Sequence, residues 1–294
     1  MEIEKLQAGL VFACIAPHGG MVVPELAGAE RDLAAQTQAA MEDLGQRMAA
    51  ARPDTVVVIT PHGIRVSGLM CVSVTETAFG DLNDDDENPQ GHIELSLTID
   101  RDLAYAIAEA AHAKDVPVGL VGYGSSSGEA SCLPLDWGAL IPLWFMGGRA
   151  TPPPEIVVVT PSRQLPLEQL VAFGRSIAEA AAESGKRVGL IASSDLGHAH
   201  QADGPYGYDP ASARFDKLVA DAVRAEDLNQ LMNLDEDFIE AAKPDGLWQI
   251  VILKGAIEHT PMRGELLSYQ VPTYFGMLCA AYTPDGAAPG NTKR

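Results

Sequence analysis

The stretch at residues 55–63 reads TVVVITPHG and joins a buried strand to an abrupt turn. Thr55 to Thr60 is an unbroken run of β-branched residues, which is typical of a strand covered on both faces. Pro61 ends the strand because proline cannot donate a backbone hydrogen bond, and Gly63 permits a sharp turn. His62 is therefore predicted to project from the carboxyl end of a central strand.

The same pattern occurs at residues 10–20, LVFACIAPHGG, where Leu10 to Ala16 predicts a strand that is followed by His18. Three further runs predict strands: Val116 to Val121, Glu155 to Thr160 and Arg187 to Ala192. Three segments rich in Ala, Leu and Glu predict helices: Arg31 to Ala51, Arg101 to Ala113 and Leu167 to Ser184. Strand-like patterns also occupy residues 68–76 and 265–281, so the sheet is expected to be partly mixed.

Short strands that alternate with longer helices predict an α/β protein. We expect a single three-layer domain, in which helices cover both faces of a mostly parallel, partly mixed central sheet. The domain is expected to span residues 1–283, because strand and helix patterns continue on both sides of the linker-like stretch Pro152 to Pro154. Residues 284–294, rich in Gly, Pro and Ala, are expected to form a flexible C-terminal tail.

The chain is strongly acidic, with 40 acidic and 20 basic residues and a formal charge of −20. Such a charge repels phosphate backbones, so nucleic-acid binding is not expected. Part of the excess lies at residues 81–87, which we expect to form a solvated loop, since the spacing of an EF-hand calcium loop is missing.

Membrane association and disulfide formation are not expected either. No apolar run approaches the ~20 residues of a membrane helix, and the first residues, MEIEK, do not resemble a signal peptide. The cysteines are scattered and are predicted to be small core residues: Cys14, Cys71, Cys132 and Cys279. We therefore expect a cytoplasmic protein.

Histidines follow several predicted strands. His18 and His62 each stand in a Pro-His-Gly triplet, and His198 and His200 follow another strand in SSDLGHAH at residues 193–200. Ligands collect at the carboxyl edge of open α/β sheets, and two imidazoles with one carboxylate leave positions open on iron. A metal site is therefore predicted, although any single histidine could instead bond to a backbone carbonyl. The other three are interpreted as surface or helix-face residues: His92, His112 and His259.

The chain resembles a known family in the order of its motifs: PHGG at 17–20, TPHG at 60–63, DWG at 136–138, SSDLGH at 193–198 and GPYG at 204–207. This order is similar to that of the class III extradiol ring-cleavage dioxygenases, whose relatives include the β subunit of protocatechuate 4,5-dioxygenase and the Memo-type proteins. The likeness runs from His18 to about Ala281. It implies a non-haem Fe(II) enzyme that inserts O2 into a catechol-type ring next to the diol.

The resemblance also implies roles for individual residues. His18 and His62 match the histidine ligands of Fe(II), and His198 matches a histidine that acts as acid and base. Asp195 matches an aspartate that could orient His198. Three residues are expected to bind substrate: Trp137, His200 and Tyr206. Trp137 stands where the family often has histidine, and it could equally be a packed core residue.

The third metal ligand is left open. Alignment with the relatives points to Asp245, while Glu240 or Gln249 are alternatives. Asp245 could instead be the N-cap of a helix that begins near Leu247.

Three functions remain open from the sequence: the dioxygenase, a Memo-like metal-binding protein with a redox or partner-binding role, and a zinc hydrolase. The family resemblance implies a homodimer with a possible small accessory subunit. Tyr206 and Tyr208 are expected at the entrance of the pocket. No arginine or lysine is placed clearly enough in the sequence to predict whether the catechol is charged.

Overall fold

The computed structural model describes residues 8–28, 32–84 and 88–285, and it contains two sheets. The strands are β1 Gly9–Ala16, β2 Thr55–Ile59, β3 Met70–Ser73, β4 Thr77–Asp84, β5 Asn88–Thr98, β6 Val118–Val121, β7 Cys132–Pro134, β8 Glu155–Thr160, β9 Arg187–Ser193, β10 Met262–Gln270 and β11 Met277–Pro284. The helices are α1 Ala35–Ala51, α2 Arg101–His112, α3 Trp137–Phe145, α4 Leu167–Ser184, α5 Pro210–Arg224, α6 Glu236–Ala242 and α7 Leu247–His259.

The central sheet has the strand order β10-β11-β1-β9-β2-β8-β3-β6. Its middle four strands run parallel, whereas β11 pairs antiparallel with β1 and β3 pairs antiparallel with β8. Ala192 of β9 pairs with Ile15 of β1 on one side and with Ile59 of β2 on the other. The carboxyl ends of these three strands therefore lie side by side, which confirms the predicted sheet edge.

Helices cover both faces of this sheet, as predicted. One face packs against α2, α4, α5 and α7 through fully buried side chains such as Phe173, Phe215 and Leu253. The other packs against α1 and α3, for example through Met41 and Leu140. A small sheet with the order β5-β4-β7 shares this second face, and no sequence pattern predicted it.

The small sheet corrects the expectation of an acidic loop. Residues 81–84 belong to β4, which pairs antiparallel with β5 across Asp81 and Glu94. Alternation explains the difference: Ile93, Leu95 and Leu97 of β5 are buried, while the residues between them face outward. Residues 85–87 lie outside the described residues.

The predicted single domain is confirmed, because β8 directly follows the proline stretch at 152–154 and pairs with β2 in the same sheet. The first long helix begins at Ala35, and Arg31 lies outside the described residues. The flexible tail was expected to start at Pro284, but this residue is the last of β11. Residues 286–294 lie outside the described residues.

Three cysteines are buried as predicted, Cys14, Cys71 and Cys279, and Cys132 is partly buried. Within the described residues, no helix is both long and apolar enough to cross a membrane.

Candidate metal centre

Three side chains converge at the carboxyl edge of the central sheet. His18 follows β1, His62 follows β2, and Asp245 lies two residues before α7. Nε2 of His18 is 3.3 Å from Nε2 of His62 and 3.3 Å from Oδ2 of Asp245. Nε2 of His62 is 3.7 Å from the same oxygen. The structure thus brings together the three residues predicted from the sequence as metal ligands.

These distances fit a shared cation. Ligand atoms about 2.1 Å from one ion are roughly 3.0–3.5 Å apart in octahedral or tetrahedral geometry, close to the separations observed. All three candidate ligand atoms lie within 4.8 Å of one another. Two imidazoles and one carboxylate on one face also leave room for further ligands, as in non-haem Fe(II) oxygenases. The donor set therefore fits Fe(II), although zinc would accept the same atoms.

A hydrogen bond to Ser193 holds the ring of His18 in one tautomer. Its Nδ1 lies 2.9 Å from the hydroxyl oxygen of Ser193, and that hydroxyl donates to the carbonyl of Gly138. A serine hydroxyl has one hydrogen, so it must accept the Nδ1 hydrogen of a neutral His18 ring. Nε2 then faces the cluster with a free lone pair, which is the form that binds a metal.

The cluster has opposing electrostatic effects on its two histidines. Burial lowers the pKa of His18, but Asp195 and Asp245 outweigh it and raise the pKa to about 9. Burial and the neighbouring His18 lower the pKa of His62 to about 4. For the carboxyl group of Asp245, burial raises the pKa. His18, His198 and His62 outweigh this effect, and the pKa of Asp245 is lowered overall. Without a metal, the carboxylates thus favour a proton on His18; a bound cation would take that proton's place.

Asp195 lies beneath the cluster. Its Oδ1 accepts a hydrogen bond from the backbone N–H of His18 at 3.1 Å, and its own N–H donates to Oδ1 of Asp245 at 3.1 Å. It therefore links two of the candidate ligands. The ring of His198, which Asp195 was expected to orient, instead donates from Nδ1 to the carbonyl of Leu196 at 2.8 Å.

The structure separates Asp245 from its alternatives. Helix α7 has Gly246 as its N-cap and no side-chain cap, so Asp245 is not the capping residue. Glu240 is exposed and forms an ion pair with Lys243. Gln249 is fully buried and donates from Nε2 to the carbonyl of Ser193. Of the three candidates, only Asp245 has its side chain in the cluster.

A glycine permits Asp245 to reach this position. A Cβ atom at Gly246 would lie 2.5 Å from Cβ of Ser194 and 2.8 Å from the carbonyl oxygen of Asp195. Only a residue without a side chain allows the start of α7 to pack this closely against the end of β9.

His198 lies in the same cavity as the cluster. Because its Nδ1 donates to a carbonyl, the neutral ring has its lone pair on Nε2, where it can accept a proton. The ring stacks on Phe275 at a centroid distance of 5.3 Å and meets the edge of Tyr206 at 5.8 Å. These contacts fix the plane of the imidazole.

The cluster opens into a cavity of about 1,080 Å³. Trp137 and Tyr206, predicted to bind substrate, both line it and are 47% and 55% exposed. Trp137 is thus not a packed core residue: it is the first residue of α3 and lies 4.1 Å from His62, centroid to centroid.

Two predictions about the cavity wall are wrong. Among the described residues, neither His200 nor Tyr208 lines the cavity. Nε2 of His200 instead lies 2.8 Å from the buried carboxylate of Asp216, which draws the ring away from the cavity. Tyr208 is 64% exposed and pairs through its backbone with His200.

Among the cavity residues that sequence reasoning missed are two arginines, Arg65 and Arg163. Arg65 stands three residues after His62, and Arg163 stands three residues after the end of β8. Burial lowers the pKa of Arg163, as does Arg65, whereas Asp245 raises it. The signal that could have found them is position: each follows the carboxyl end of a strand in the parallel core of the sheet.

Comparison with known proteins agrees with this geometry. The family model described as the catalytic LigB subunit of aromatic ring-opening dioxygenase matches residues 12–278. Protein CA_C1420 of Clostridium acetobutylicum is 27% identical over 254 residues, which cover 86% of this chain and 53% of that protein. The chain therefore spans about half the length of this curated relative.

A solved structure shares the fold. The uncharacterized protein JW3007 from Escherichia coli K12 matches with a TM-score of 0.58 over 92% of this chain and 99% of that one. The sequence identity is 18%, so this likeness supports the architecture alone.

Proposed function

Because this chain belongs to the family of the catalytic LigB subunit of aromatic ring-opening dioxygenases, we propose that it is an Fe(II)-dependent extradiol dioxygenase of the cytoplasm. Its reaction would insert O2 into a catechol-type ring next to the diol. The observation that carries this proposal is the cluster of His18, His62 and Asp245 in a cavity that also contains His198.

The three clustered residues would hold the metal. His18 and His62 would bind through Nε2 and Asp245 through Oδ2, the atoms that face one another. When bound there, Fe(II) would supply a Lewis-acidic, redox-active centre for the reaction of a catechol with O2. Asp195 would keep the distance between His18 and Asp245 through its two hydrogen bonds.

His198 is proposed to move the protons. Its Nε2 is free to accept a proton from a catechol hydroxyl, and the resulting imidazolium would return one later in the reaction. The hydrogen bond from Nδ1 to Leu196 holds the ring in this role, and the stack on Phe275 limits its rotation.

Aromatic side chains would hold the ring of the substrate. The ring of Trp137 lies against that of His62 in a tilted arrangement, while Tyr206 and Tyr274 lie beside His198. Flat faces of this kind favour a planar ligand.

The test is ring cleavage by protein loaded anaerobically with Fe(II). We expect catechol-dependent oxygen uptake and a yellow ring-opened product for at least one member of a broad panel of catechols. Absence of both, from protein that retains iron, would contradict the proposal. Light scattering of the same sample tests the expected homodimer, and added cell extract tests the need for a small accessory subunit.

A second candidate is a Memo-like protein that binds metal without cleaving rings. Trp137 favours it, because this aromatic ring lies against His62 where related dioxygenases often have a histidine. Bound metal without oxygen uptake for any catechol would support this role, and robust turnover would exclude it as the main one.

A further inference from the structure

The loop that carries His198 belongs to no helix or strand, and partners outside it set its conformation. Each backbone N–H from Leu196 to His200 donates to a group on another segment. The acceptors are the carbonyls of Gly276, Tyr274 and Ala242 and the side chains of Asp216 and Ser212 on α5. The place of the His198 ring in the cavity therefore depends on these contacts.

Asp216 holds this loop although it is fully buried. Its Oδ1 accepts a hydrogen bond from the backbone N–H of Gly197 at 2.7 Å, and its Oδ2 lies 2.8 Å from Nε2 of His200. The hydroxyl of Tyr269 on β10 donates to the same Oδ2 at 2.8 Å. Burial and the nearby carboxylate raise the pKa of Tyr269, so its hydroxyl keeps the proton that it donates. Because Gly197 precedes His198 and His200 follows it, the carboxylate fixes the loop on both sides of that histidine.

The chemistry of these contacts requires a carboxylate at position 216. A buried carboxylate is costly unless it is hydrogen-bonded. An ionised carboxylate accepts hydrogen bonds and donates none, which matches the three donors around Asp216. An asparagine has the same shape, but it offers one acceptor oxygen instead of two.

Ser212 lies one turn before Asp216 and makes a second link from α5 to the loop. Its Oγ accepts from the backbone N–H of Ala199 at 2.8 Å and donates to the carbonyl of Ala242 at 2.8 Å. The same carbonyl accepts from the N–H of His198 at 3.1 Å. Residues four apart share one face of a helix, so a single face of α5 contacts the loop before and after His198.

Asp216 also lies against the segment that packs on the ring of His198. A Cβ atom at Gly276 would lie 1.9 Å from Oδ2 of Asp216, so only glycine allows the backbone to pass this close. Tyr274 and Phe275 precede this glycine, and their ring centres lie 5.9 Å and 5.3 Å from that of His198. One carboxylate thus contacts both the loop of His198 and the segment that carries its aromatic neighbours.

We infer that Asp216, assisted by Ser212, is a positioning residue that holds His198 at its place in the cavity. Neither Asp216 nor Ser212 is among the described residues that line the cavity, so both act through the loop. The use of His198 for proton transfer rests on the proposed function, whereas the position of its ring does not. Proton transfer requires hydrogen-bond distance, and a displacement of about 1 Å is expected to lower the rate about 10²-fold.

NMR of histidine side chains tests the position without any turnover. The protein is labelled with 15N-histidine and loaded with Zn²⁺, which is diamagnetic and accepts the same ligand atoms. The signal of His198 is assigned by its loss in His198→Gln. Wild type should show one tautomer with the hydrogen on Nδ1, since this nitrogen donates to the carbonyl of Leu196. Asp216→Asn should show a mixture of tautomers or an exchange-broadened signal.

Kinetics of the Fe(II)-loaded protein give the second measurement. Asp216→Asn should lower kcat about 10- to 100-fold, while KM for the catechol and the iron content change less than about threefold. Ser212→Ala removes a single side chain from the loop contacts and should shift both measurements in the same direction by less. Ser212→Ala carries the test if Asp216→Asn does not fold.

Two control variants separate positioning from a general loss of stability. Asp100→Asn removes another buried carboxylate, which bonds to Thr55 at the start of β2 and does not line the cavity. Tyr269→Phe removes one donor to Asp216 but leaves the bond to Gly197 in place. Both variants should keep the wild-type signal of His198 and the wild-type kcat.

The outcomes distinguish this inference from the proposed reaction. A changed His198 signal in Asp216→Asn that both controls lack supports the inference even if no catechol is cleaved. Two tautomers of His198 in wild type, an unchanged signal in Asp216→Asn, or an equal change in Asp100→Asn overturns it. In an active enzyme, a kcat of Asp216→Asn within threefold of wild type overturns it as well. Wild type that cleaves no catechol contradicts the proposed function alone.

Discussion

The side-chain oxygen of Ser193 lies 2.9 Å from Nδ1 of His18 and holds the neutral ring in one tautomer. Ser193 is the last residue of β9, while His18 follows β1, the neighbouring strand. The sheet itself therefore determines which nitrogen of His18 faces Asp245. Ser193 is not itself a candidate ligand, but its hydrogen bond to His18 sets which nitrogen of that ring is available to bind a metal.

Ser193→Ala should weaken metal binding without removing a ligand. Loss of the hydroxyl leaves Nδ1 of His18 without its acceptor, and such losses lower metal affinity by about 10- to 100-fold. Competition with a chelator measures the change in Fe(II) affinity. Ser176→Ala is the matched control, because Ser176 is also fully buried but donates within α4. Equal affinities for all three proteins would show that the tautomer is fixed in another way.

Asp245→Asn should abolish stoichiometric iron, because the neutral amide cannot replace the anionic ligand. Glu240→Gln should retain it, since Glu240 is exposed and pairs with Lys243. Metal analysis after gel filtration distinguishes the two. Retention of iron by Asp245→Asn together with its loss from Glu240→Gln would assign the third ligand to Glu240 instead.

His198→Gln should separate turnover from binding. The glutamine cannot accept and return a proton, so we expect kcat to fall about 10²- to 10⁴-fold, a typical loss for a general acid–base group. Iron content and the affinity for a catechol should change little, because His198 is not a member of the ligand cluster. A kcat within threefold of wild type would remove His198 from the mechanism.

Asp100 should make the stability of the fold depend on pH. Burial raises the pKa of Asp100, but hydrogen bonds from Lys186, Thr55 and the N–H of Leu103 outweigh it, and the pKa is lowered overall. A lowered pKa stabilises the folded state fully above the unfolded value of about 3.9, and the contribution is lost as pH falls through the folded value.

Asp100→Asn should therefore lower the free energy of unfolding by about 1.5–3 kcal/mol at pH 7, and this difference should shrink below pH 4. Urea denaturation of both proteins at pH 7 and pH 3 measures it. Asp102→Asn, an exposed substitution in the first turn of the same helix, should cost less than about 1 kcal/mol at either pH. A difference for Asp100→Asn that does not depend on pH would contradict the proposed charge state.

The central sheet and the positions of His18 and His62 could be predicted from the sequence. Runs such as residues 55–60 are too apolar for a surface strand, and proline and glycine mark where each strand ends. The small sheet could not be predicted, because β4 carries the exposed acidic residue Asp81 and β7 has only three residues. Its strands form because their buried side chains pack against the rest of the second core cluster, and these tertiary contacts cannot be read from the local sequence.

The candidate site was harder to predict wherever it depends on contacts distant in sequence. From the sequence, Asp245 could equally be a helix cap. In the structure, Gly246 packs closely against Ser194, and this contact places the carboxylate of Asp245 beside the histidines. His200 follows the motif of His198 but pairs with Asp216 from α5. Arg65 and Arg163 share no motif, and both line the cavity because β2 and β8 are neighbours.

The most direct test of the central claim is iron content together with oxygen uptake in one anaerobically reconstituted sample, for wild type, His18→Ala and His112→Ala. His112 is exposed at the end of α2, so its variant controls for the loss of a histidine. We predict about one iron per chain and catechol-dependent oxygen uptake for wild type and His112→Ala, with both lost in His18→Ala. Iron and uptake that survive in His18→Ala, or a wild-type protein that binds no iron, would contradict the account.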